Sequence, residues 1–366
     1  MHNRLAFVDA LRGIAVLAVV VQHVLEQIIL IGNPSAEYYR FFHDITGHYF
    51  NFGRFGVVLF FFVSGFVIPY SFPSSSAPVK DFAVSRFFRL YPSYWLSVLL
   101  AVLLAAFIED KFYPIWQISA NLTMFQMFVG VSNIRIAYWS LAVELIFYIA
   151  CVALFIAGFL NRRLTAVCLV VAVSIVGIVG PALVHYWLFW RLLELALNLT
   201  AMFTGKVARD VLMERRLSPW YLVACVTLYC GFAINIAFKL YGGDYHDNFF
   251  HGYSIGLAYV SAALVFLLFA VFGEGRPWRA LAFVGVISYS IYLMHAYVMS
   301  LAIYFLGTGS SPSQWLLFIV GVTAASIIVS WISYTLVEKP TISLGRRYRS
   351  APRRAALTEA PLPAAE

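Results

Sequence analysis

The sequence predicts an all-α integral membrane protein, a bundle of about ten transmembrane helices with both termini in the cytoplasm. Its composition, the length of its apolar runs and the distribution of its basic residues each point to this fold class. Of the 366 residues, 62% are apolar or aromatic and 11% are charged, whereas soluble domains contain roughly 45–50% apolar and about 25% charged residues. The composition therefore excludes an ordinary soluble globular protein.

The apolar runs supply the candidate spans. A transmembrane helix needs about 20 mostly apolar residues to cross a hydrocarbon core of roughly 30 Å, and charged residues, Pro and Gly separate runs of this length. The first run ends in Gly-Asn-Pro rather than at a small-residue cleavage site, so we expect it to be retained and not removed as a signal peptide. The predicted spans are Gly13–Ile31, Gly53–Tyr70, Tyr91–Phe107, Trp139–Phe159, Leu164–Tyr186, Trp187–Gly205, Trp220–Tyr241, Ile255–Phe272, Leu281–Leu306 and Gln314–Val337.

The basic residues predict the orientation. With a cytoplasmic N-terminus, the inner segments hold nineteen Lys and Arg residues, while Arg191 lies within a span. The outer segments, counted with the span ends that adjoin them, hold five, which are Arg40, Arg54, Lys111, Arg135 and Lys239. Such an excess on one side is typical of cytoplasmic loops, so topology accounts for the net charge of +8 and we expect no nucleic-acid partner. Residues 1–340 form the predicted transmembrane domain, and residues 341–366 form a basic, disordered cytoplasmic tail near anionic lipid.

The cysteines carry no sign of a metal site. All four lie in apolar runs, without the spacing of metal ligands. We expect them to be small core residues. They are Cys151, Cys168, Cys225 and Cys230.

Several ionisable side chains lie inside the predicted spans, where they are costly and usually face a partner or a cavity. Arg12, at the cytoplasmic boundary of the first span, and His23, near mid-membrane, project from one face of this helix, about 16 Å apart along its axis. Glu144 and His295 fall close to the depth of His23, and Ser64 lies near the middle of its span. These groups occupy one slab of about 8 Å, although depth does not determine which helix faces meet.

Two further charge pairs stand at i,i+3 spacing. Arg191 and Glu194 lie on one helix and are expected to neutralise each other. Arg86 and Arg89 directly precede the third predicted span. They share a face and are suited to phosphate contacts, while ordinary positive-inside charge is the alternative interpretation.

Five short segments carry a family resemblance. They are Phe7-Val-Asp-Ala-Leu-Arg-Gly-Ile-Ala-Val-Leu17 continuing to His23, Phe60-Phe-Phe-Val-Ser-Gly-Phe66, Arg86-Phe-Phe-Arg-Leu-Tyr-Pro92, Trp139-Ser-Leu-Ala-Val-Glu-Leu-Ile-Phe-Tyr148 and Ser288-Tyr-Ser-Ile-Tyr-Leu-Met-His295. In this order, and spread over most of the chain, they resemble the acyltransferase-3 family of bacterial integral-membrane O-acyltransferases. Arg12 and His23 match the family's Arg-x10-His motif, and Arg86 and Arg89 match its Arg-x-x-Arg motif.

The resemblance implies an activity at the bacterial inner membrane. Members of the family transfer acyl groups, often acetyl, from cytoplasmic acyl-CoA to hydroxyls of polysaccharide, lipid-linked sugar, peptidoglycan or small glycosides. We therefore expect acyl-CoA as co-substrate, a carbohydrate or glycolipid acceptor, contact with membrane lipid and no bound cofactor. Some relatives carry an esterase-like extracytoplasmic domain, for which we expect the tail of this chain to be too short.

Acyl transfer assigns roles to the candidate residues. A base must take the proton of the acceptor hydroxyl, and imidazole is suited to this at pH 7, so His23 is the predicted base. Glu144, favoured over Asp9 by its depth, is predicted to stabilise protonated His23. The predicted acyl-CoA ligands are Arg12, Arg86 and Arg89, and the predicted acyl or acceptor pocket comprises Asp9, Ser64, Trp139, Tyr292 and His295.

Other functions are compatible with polar residues in the membrane. A proton-coupled carrier or a lipid-sugar flippase also places His and Glu at the midplane, whereas a non-catalytic scaffold leaves His23 and Glu144 without a purpose. Two chemical routes are also open for an acyltransferase: direct attack by the acceptor with His23 as base, or a transient acyl-histidine.

The predicted orientation is testable with reporter fusions. Because of the excess of basic residues on one side, fusions after Arg216 and at the C-terminus are expected to report the cytoplasm. A reporter active only outside the cytoplasm serves as the matched control at each site. A periplasmic C-terminus would require an odd number of spans.

Overall fold

The computed structural model describes residues 5–31, 37–183, 187–241, 250–276, 278–307 and 311–350, and the regular structure in these ranges is helical. Two π-helical segments, Asp44–Tyr49 and Tyr334–Glu338, extend longer helical regions. The α-helices are α1 (Ala6–Ile31), α2 (Glu37–His43), α3 (Phe52–Val67), α4 (Pro78–Phe107), α5 (Ile115–Leu122), α6 (Tyr138–Ile156), α7 (Thr165–Leu183), α8 (Trp187–Leu212), α9 (Pro219–Tyr241), α10 (Gly252–Phe272), α11 (Arg279–Val286), α12 (Ser288–Leu306), α13 (Pro312–Ser333) and α14 (Lys339–Arg347).

Helices of membrane-spanning length confirm the predicted fold class. Among the described residues, 8 helical segments are long and apolar enough to cross a bilayer. The two other predicted spans coincide with α7 and α8, of which α8 carries several charged residues. The number ten and the orientation of the termini stay predictions. The segments are Ala6–Ile31, Tyr38–Tyr70, Pro78–Phe107, Tyr138–Ile156, Pro219–Tyr241, Gly252–Phe272, Ser288–Leu306 and Ser313–Arg347.

Several predicted spans have different boundaries in the structure, and two of these differences change the course of a helix. The third was expected to begin at Tyr91, but α4 begins at Pro78 and continues through Pro92. Proline is well suited to the first turn of a helix, and the interior Pro92 is tolerated in a membrane helix where other groups satisfy the backbone. The ninth span is broken at Ile287 into α11 and α12. The α4 boundary matters for function, because it places Arg86 and Arg89 inside a helix.

The predicted tail begins inside an ordered region. Residues 341–350 of this tail lie in α14 and the turn after it. The rings of Phe88 on α4 and Tyr348 are stacked with their centroids 5.5 Å apart, and the Ser350 amide donates to Asp81 Oδ1 at 2.9 Å. The helical region therefore extends past residue 340, and the remainder of the tail, 351–366, is outside the described residues.

Glycines bring the central helices into backbone contact. A Cβ added at Gly65 on α3 would lie 1.7 Å from the Met202 carbonyl oxygen on α8, and one added at Gly205 on α8 would lie 2.2 Å from the Phe62 carbonyl oxygen on α3. At Gly285 on α11 the corresponding distance, to the Asp9 carbonyl oxygen on α1, is 1.7 Å. These contacts hold α1 and α3, which carry candidate site residues, against their neighbours.

The close packing of α3 on α8 predicts the effect of a single methyl group. Gly65→Ala is expected to lower stability by about 1–3 kcal/mol, because the helices must separate to admit the Cβ. Gly321→Ala is the matched control: its Cβ meets none of the described residues within 4 Å, so the higher helix propensity of Ala should leave stability equal or higher by about 0.5–1 kcal/mol. Thermal unfolding in detergent measures both. A Gly65→Ala protein as stable as the control would contradict this packing.

Candidate active site

A polar cavity of about 60 Å³ lies within the bundle, among α1, α3, α4, α6 and α12. Its volume equals that of roughly two water molecules in the liquid. The structure thus brings together five of the ten predicted site residues, which are Arg12, Ser64, Arg89, Glu144 and Tyr292. The remaining lining residues are Val57, Phe60, Phe61, Leu90, Ser140, Leu141, Ser288 and Tyr289.

Two guanidinium groups face this cavity. Arg12 lies about 9 Å into α1 and Arg89 about 16 Å into α4. Neither has a hydrogen bond or an ion pair within 4 Å to a described residue; the arginines that do form such pairs are others. The two repel each other, and both are attracted to Glu144 and Asp9. Two cations with free donors inside a helix bundle are costly, so this arrangement favours an anionic ligand.

Glu144 lies at the opposite wall of the cavity. Its Oε1 accepts hydrogen bonds from Ser64 Oγ at 3.4 Å and from the Tyr148 hydroxyl at 2.6 Å. The carboxylate attracts both cavity arginines and so offsets part of their charge. Tyr148 was not among the predicted site residues, although it follows Glu144 by one helical turn within the same quoted segment.

The predicted pair Arg86 and Arg89 is divided between two environments. Arg86 donates to Ser71 Oγ, and its guanidinium lies 5.1 Å from the ring centroid of Phe82 and 5.3 Å from that of Tyr148. Residues at i,i+3 differ by about 60° around a helix, which is enough here to direct Arg86 away from the cavity. Arg86 thus supports Tyr148, while Arg89 faces the cavity.

Glu338 supplies a further negative charge near the cavity arginines that was not predicted from the sequence. It lies in the π-helical segment before α14, is buried and accepts a hydrogen bond from Ser290 Oγ at 2.7 Å. It also attracts both Arg89 and Arg12. The available signal was an acidic residue directly after the last predicted span, a position that the helix prediction treats as loop.

The two candidate histidines form a pair. His23 Nδ1 lies 2.7 Å from His295 Nε2, and their rings are nearly parallel, at 6°. The expectation that Glu144 is the partner of His23 is wrong for this structure, because the hydrogen bonds of Glu144 go to Ser64 and Tyr148. Equal depth places groups in one slab, but the rotation of each helix determines which of them meet.

Tyr292 lies between the histidine pair and the cavity. It lines the cavity, and its ring centroid is 6.1 Å from that of His295. Its hydroxyl donates to the Ala137 carbonyl oxygen at 2.6 Å and lies 2.6 Å from Ser140 Oγ. His23 and His295 themselves are not among the residues that line the cavity, so the site has two adjacent parts.

Asp9 and Trp139 lie beside the cavity rather than in its wall. Asp9 is buried on α1 and attracts both cavity arginines. The ring of Trp139 packs edge-on against Phe61, with centroids 6.3 Å apart, and lies 5.3 Å from the Arg54 guanidinium. Of the two, Asp9 belongs to the charge balance of the cavity, whereas Trp139 belongs to a separate cluster around Arg54.

This Arg54 cluster gives Glu194 a partner that was not predicted. Arg54 Nη1 lies 2.6 Å from Glu194 Oε1, and Arg54 Nη2 donates to the Tyr241 hydroxyl at 2.6 Å. Glu194 was expected to pair with Arg191, whose side chain lies outside the described residues, and Arg54 was counted among the charges of an outer loop. The side chains of Arg54 and Glu194 are 22% and 18% exposed, so the ion pair is largely buried.

The Arg54–Glu194 pair predicts a stability defect with a specific rescue. Arg54→Met is expected to destabilise the protein by about 3 kcal/mol, because it leaves a buried carboxylate without its counter-charge. Arg54→Met with Glu194→Gln should recover part of this loss, since no charge is then unpaired. Thermal unfolding of both variants and of Glu194→Gln completes the double-mutant cycle. A double variant less stable than Arg54→Met would contradict the pairing.

Comparison with known proteins gives the family of this chain. It is 26% identical to YrhL of Bacillus subtilis (strain 168), a candidate peptidoglycan O-acetyltransferase, over 96% of this chain and 57% of that protein. It is 23% identical to the peptidoglycan O-acetyltransferase OatA of Listeria monocytogenes, over 91% of this chain and 55% of that protein. The chain thus spans little more than half the length of these relatives, and no solved structure matches it significantly. Residues 5–335 match the acyltransferase-3 family, described as an acyltransferase domain, and the chain therefore belongs to that family.

Proposed function

We propose that the protein is a multi-pass O-acyltransferase of the bacterial inner membrane, which moves an acyl group, acetyl in the first instance, from acyl-CoA to a carbohydrate hydroxyl. Family membership and the names of the two relatives support the reaction class. The observation that carries the proposal is the pair of cavity guanidiniums without hydrogen-bond partners among the described residues, Arg12 and Arg89, on a bundle that also holds the pair of histidines.

The donor matches the charge of the cavity. Guanidinium groups form strong, charge-assisted bonds to phosphate oxygens, and Arg12 and Arg89 offer free donors in one place. The cavity is open on part of its boundary, so a ligand held by the two arginines can extend out of it. The bulk of CoA would therefore lie outside the cavity, toward the ends of α1 and α4 that are predicted to be cytoplasmic. In this role Glu144 balances the arginine charge instead of orienting His23.

His23 supplies the base in the proposed reaction. It takes the proton of the acceptor hydroxyl while the oxygen attacks the thioester carbonyl. The C–O bond forms, the C–S bond breaks, and the proton passes to the departing thiolate to give free CoA. This direct route requires only a proton carrier at the site. His23 lies about 16 Å along α1 from Arg12, so the thioester arm would have to reach beyond the arginines.

The acceptor is proposed by chemical class. Both relatives are named for peptidoglycan, so we propose a cell-surface glycan hydroxyl, with peptidoglycan as the first substrate to test and lipid-linked sugars as the next. The acceptor would approach from the outer side, opposite to the donor.

The proposal predicts different effects for the arginines. In the full chain, purified into lipid nanodiscs with acetyl-CoA and peptidoglycan fragments, Arg12→Ala and Arg89→Ala should each raise the KM for acetyl-CoA by about 10–100-fold, because each removes charge-assisted phosphate contacts worth about 1.5–3 kcal/mol. Arg89→Lys should restore part of the affinity. Arg86→Ala should affect KM less, since Arg86 does not line the cavity. Labelled acceptor and free CoA are measured together.

Arg163→Ala provides the matched control, because Arg163 is an exposed arginine away from the polar cavity. Its kinetics should equal those of the unmodified protein. Unchanged KM in both Arg12→Ala and Arg89→Ala would contradict the donor site. Movement or binding of the sugar without release of CoA would instead indicate a carrier.

A further inference from the structure

We infer that His295 is a positioning residue that sets the tautomer of His23. The two hydrogen-bonded rings, which we call the relay, form a neutral pair in place of a histidine–carboxylate pair. The inference rests on the proposed function, since it takes His23 as the base. The hydrogen bonds at both ring nitrogens of His295 carry the argument.

The partner of His295 Nδ1 is a backbone carbonyl oxygen. This nitrogen lies 3.0 Å from the carbonyl oxygen of Ile291, one turn earlier on α12. A carbonyl oxygen accepts hydrogen bonds and cannot donate them. Therefore His295 Nδ1 carries the hydrogen, and in the neutral ring His295 Nε2 is the acceptor.

A second hydrogen bond joins the rings of His295 and His23. His295 Nε2 lies 2.7 Å from His23 Nδ1, and because His295 Nε2 accepts, His23 Nδ1 must be the donor. The neutral His23 ring then has its lone pair on Nε2. A single backbone carbonyl thus determines, through His295, which nitrogen of His23 can take a proton.

Protonation of His23 during the reaction changes this hydrogen bond. When His23 Nε2 takes the proton from the acceptor hydroxyl, the ring becomes a cation whose Nδ1–H still donates to His295 Nε2. The hydrogen bond becomes charge-assisted and is strengthened, which stabilises the cation as charge develops. The proton then leaves from Nε2 to the CoA thiolate, and both rings return to their starting tautomers. No net proton is gained or lost by the pair.

Burial keeps the relay in one arrangement. The His295 side chain is 1% exposed, and its ring is flanked by Tyr292, with centroids 6.1 Å apart. Glu144, the carboxylate predicted as the partner of His23, instead accepts hydrogen bonds from Ser64 and Tyr148. A carboxylate partner for His23 would add a buried negative charge, whereas the imidazole of His295 orients the base without adding one.

The test compares substitutions that differ in hydrogen-bonding reach. His295→Gln can place a side-chain carbonyl oxygen where Nε2 stands, and so can accept from His23 Nδ1. His295→Asn is too short to do this, and His295→Phe has no acceptor. We expect His295→Asn and His295→Phe to lower kcat by about 10–100-fold, as does loss of a residue that orients a catalytic imidazole, with the KM for acetyl-CoA unchanged. His295→Gln should retain kcat within a few-fold of the unmodified protein.

Nitrogen-15 NMR of histidine-labelled protein gives a readout that a merely structural role would not change. We expect His23 to be protonated at Nδ1 in the unmodified protein and in His295→Gln, and to shift toward the Nε2-protonated tautomer in His295→Asn. A spectrum of His23→Gln assigns the signal. Because Gln and Asn are compared with each other, the result holds even where His295→Phe does not fold.

The outcomes separate this inference from the proposed function. If His23→Ala abolishes transfer while His295→Asn leaves kcat unchanged, the relay is overturned and the base stands. If His23→Ala retains full transfer, the assignment of the base itself fails. Equal loss of kcat in His295→Gln and His295→Asn, with the His23 tautomer the same in both, would also overturn the relay.

Discussion

A charged side chain inside a bilayer-embedded bundle must find an opposite charge, because hydrocarbon offers it no solvation. Two ion pairs in the described part of this protein meet the requirement internally. Lys206 and Asp210, 4% and 2% exposed, are joined at 2.6 Å, and the Tyr70 hydroxyl also donates to Asp210. Arg54 and Glu194 are paired in the same way. Arg12 and Arg89 stand apart from this pattern, since their carboxylates attract them from beyond contact distance. That difference is the reason we propose the donor site at these two arginines rather than at the other polar clusters.

Much of the fold could be predicted from hydropathy, and the errors have physical causes. The length of an apolar run follows from the thickness of the bilayer, so the predicted spans coincide with helices. The start of α4 could not be predicted in this way. Hydropathy places a boundary where charges and Pro92 begin, whereas the helix itself begins more than three turns earlier, at Pro78. A charged helical turn beside an apolar run looks like a loop when only the sequence is considered.

The sequence predicted which residues lie on the helices around the candidate site better than it predicted which of these residues are in contact. Residue type and periodicity placed Arg12 at the cytoplasmic boundary and His23, Glu144 and His295 within the membrane, and in the structure all four lie on helices of the bundle. Which of them touch depends on the rotation of each helix about its axis, and that is determined by contacts such as Gly65 on Met202 and Gly285 on Asp9. For this reason the sequence supported Glu144 as the partner of His23, while the packing of α12 against α1 places His295 there.

The attraction between Arg89 and Glu338 has a consequence for biosynthesis. Glu338 follows Arg89 by about 250 residues in the chain, so at roughly 5–20 residues per second a ribosome completes it about 12–50 seconds later. Until then the inserted helices α1 and α4 carry two arginines against fewer carboxylates, and α14 is not yet available to pack on α4. The cavity therefore reaches its final charge balance only after residue 338 has been synthesised and packed, and a chain released before that point would retain the repulsion between Arg12 and Arg89 without the charge of Glu338.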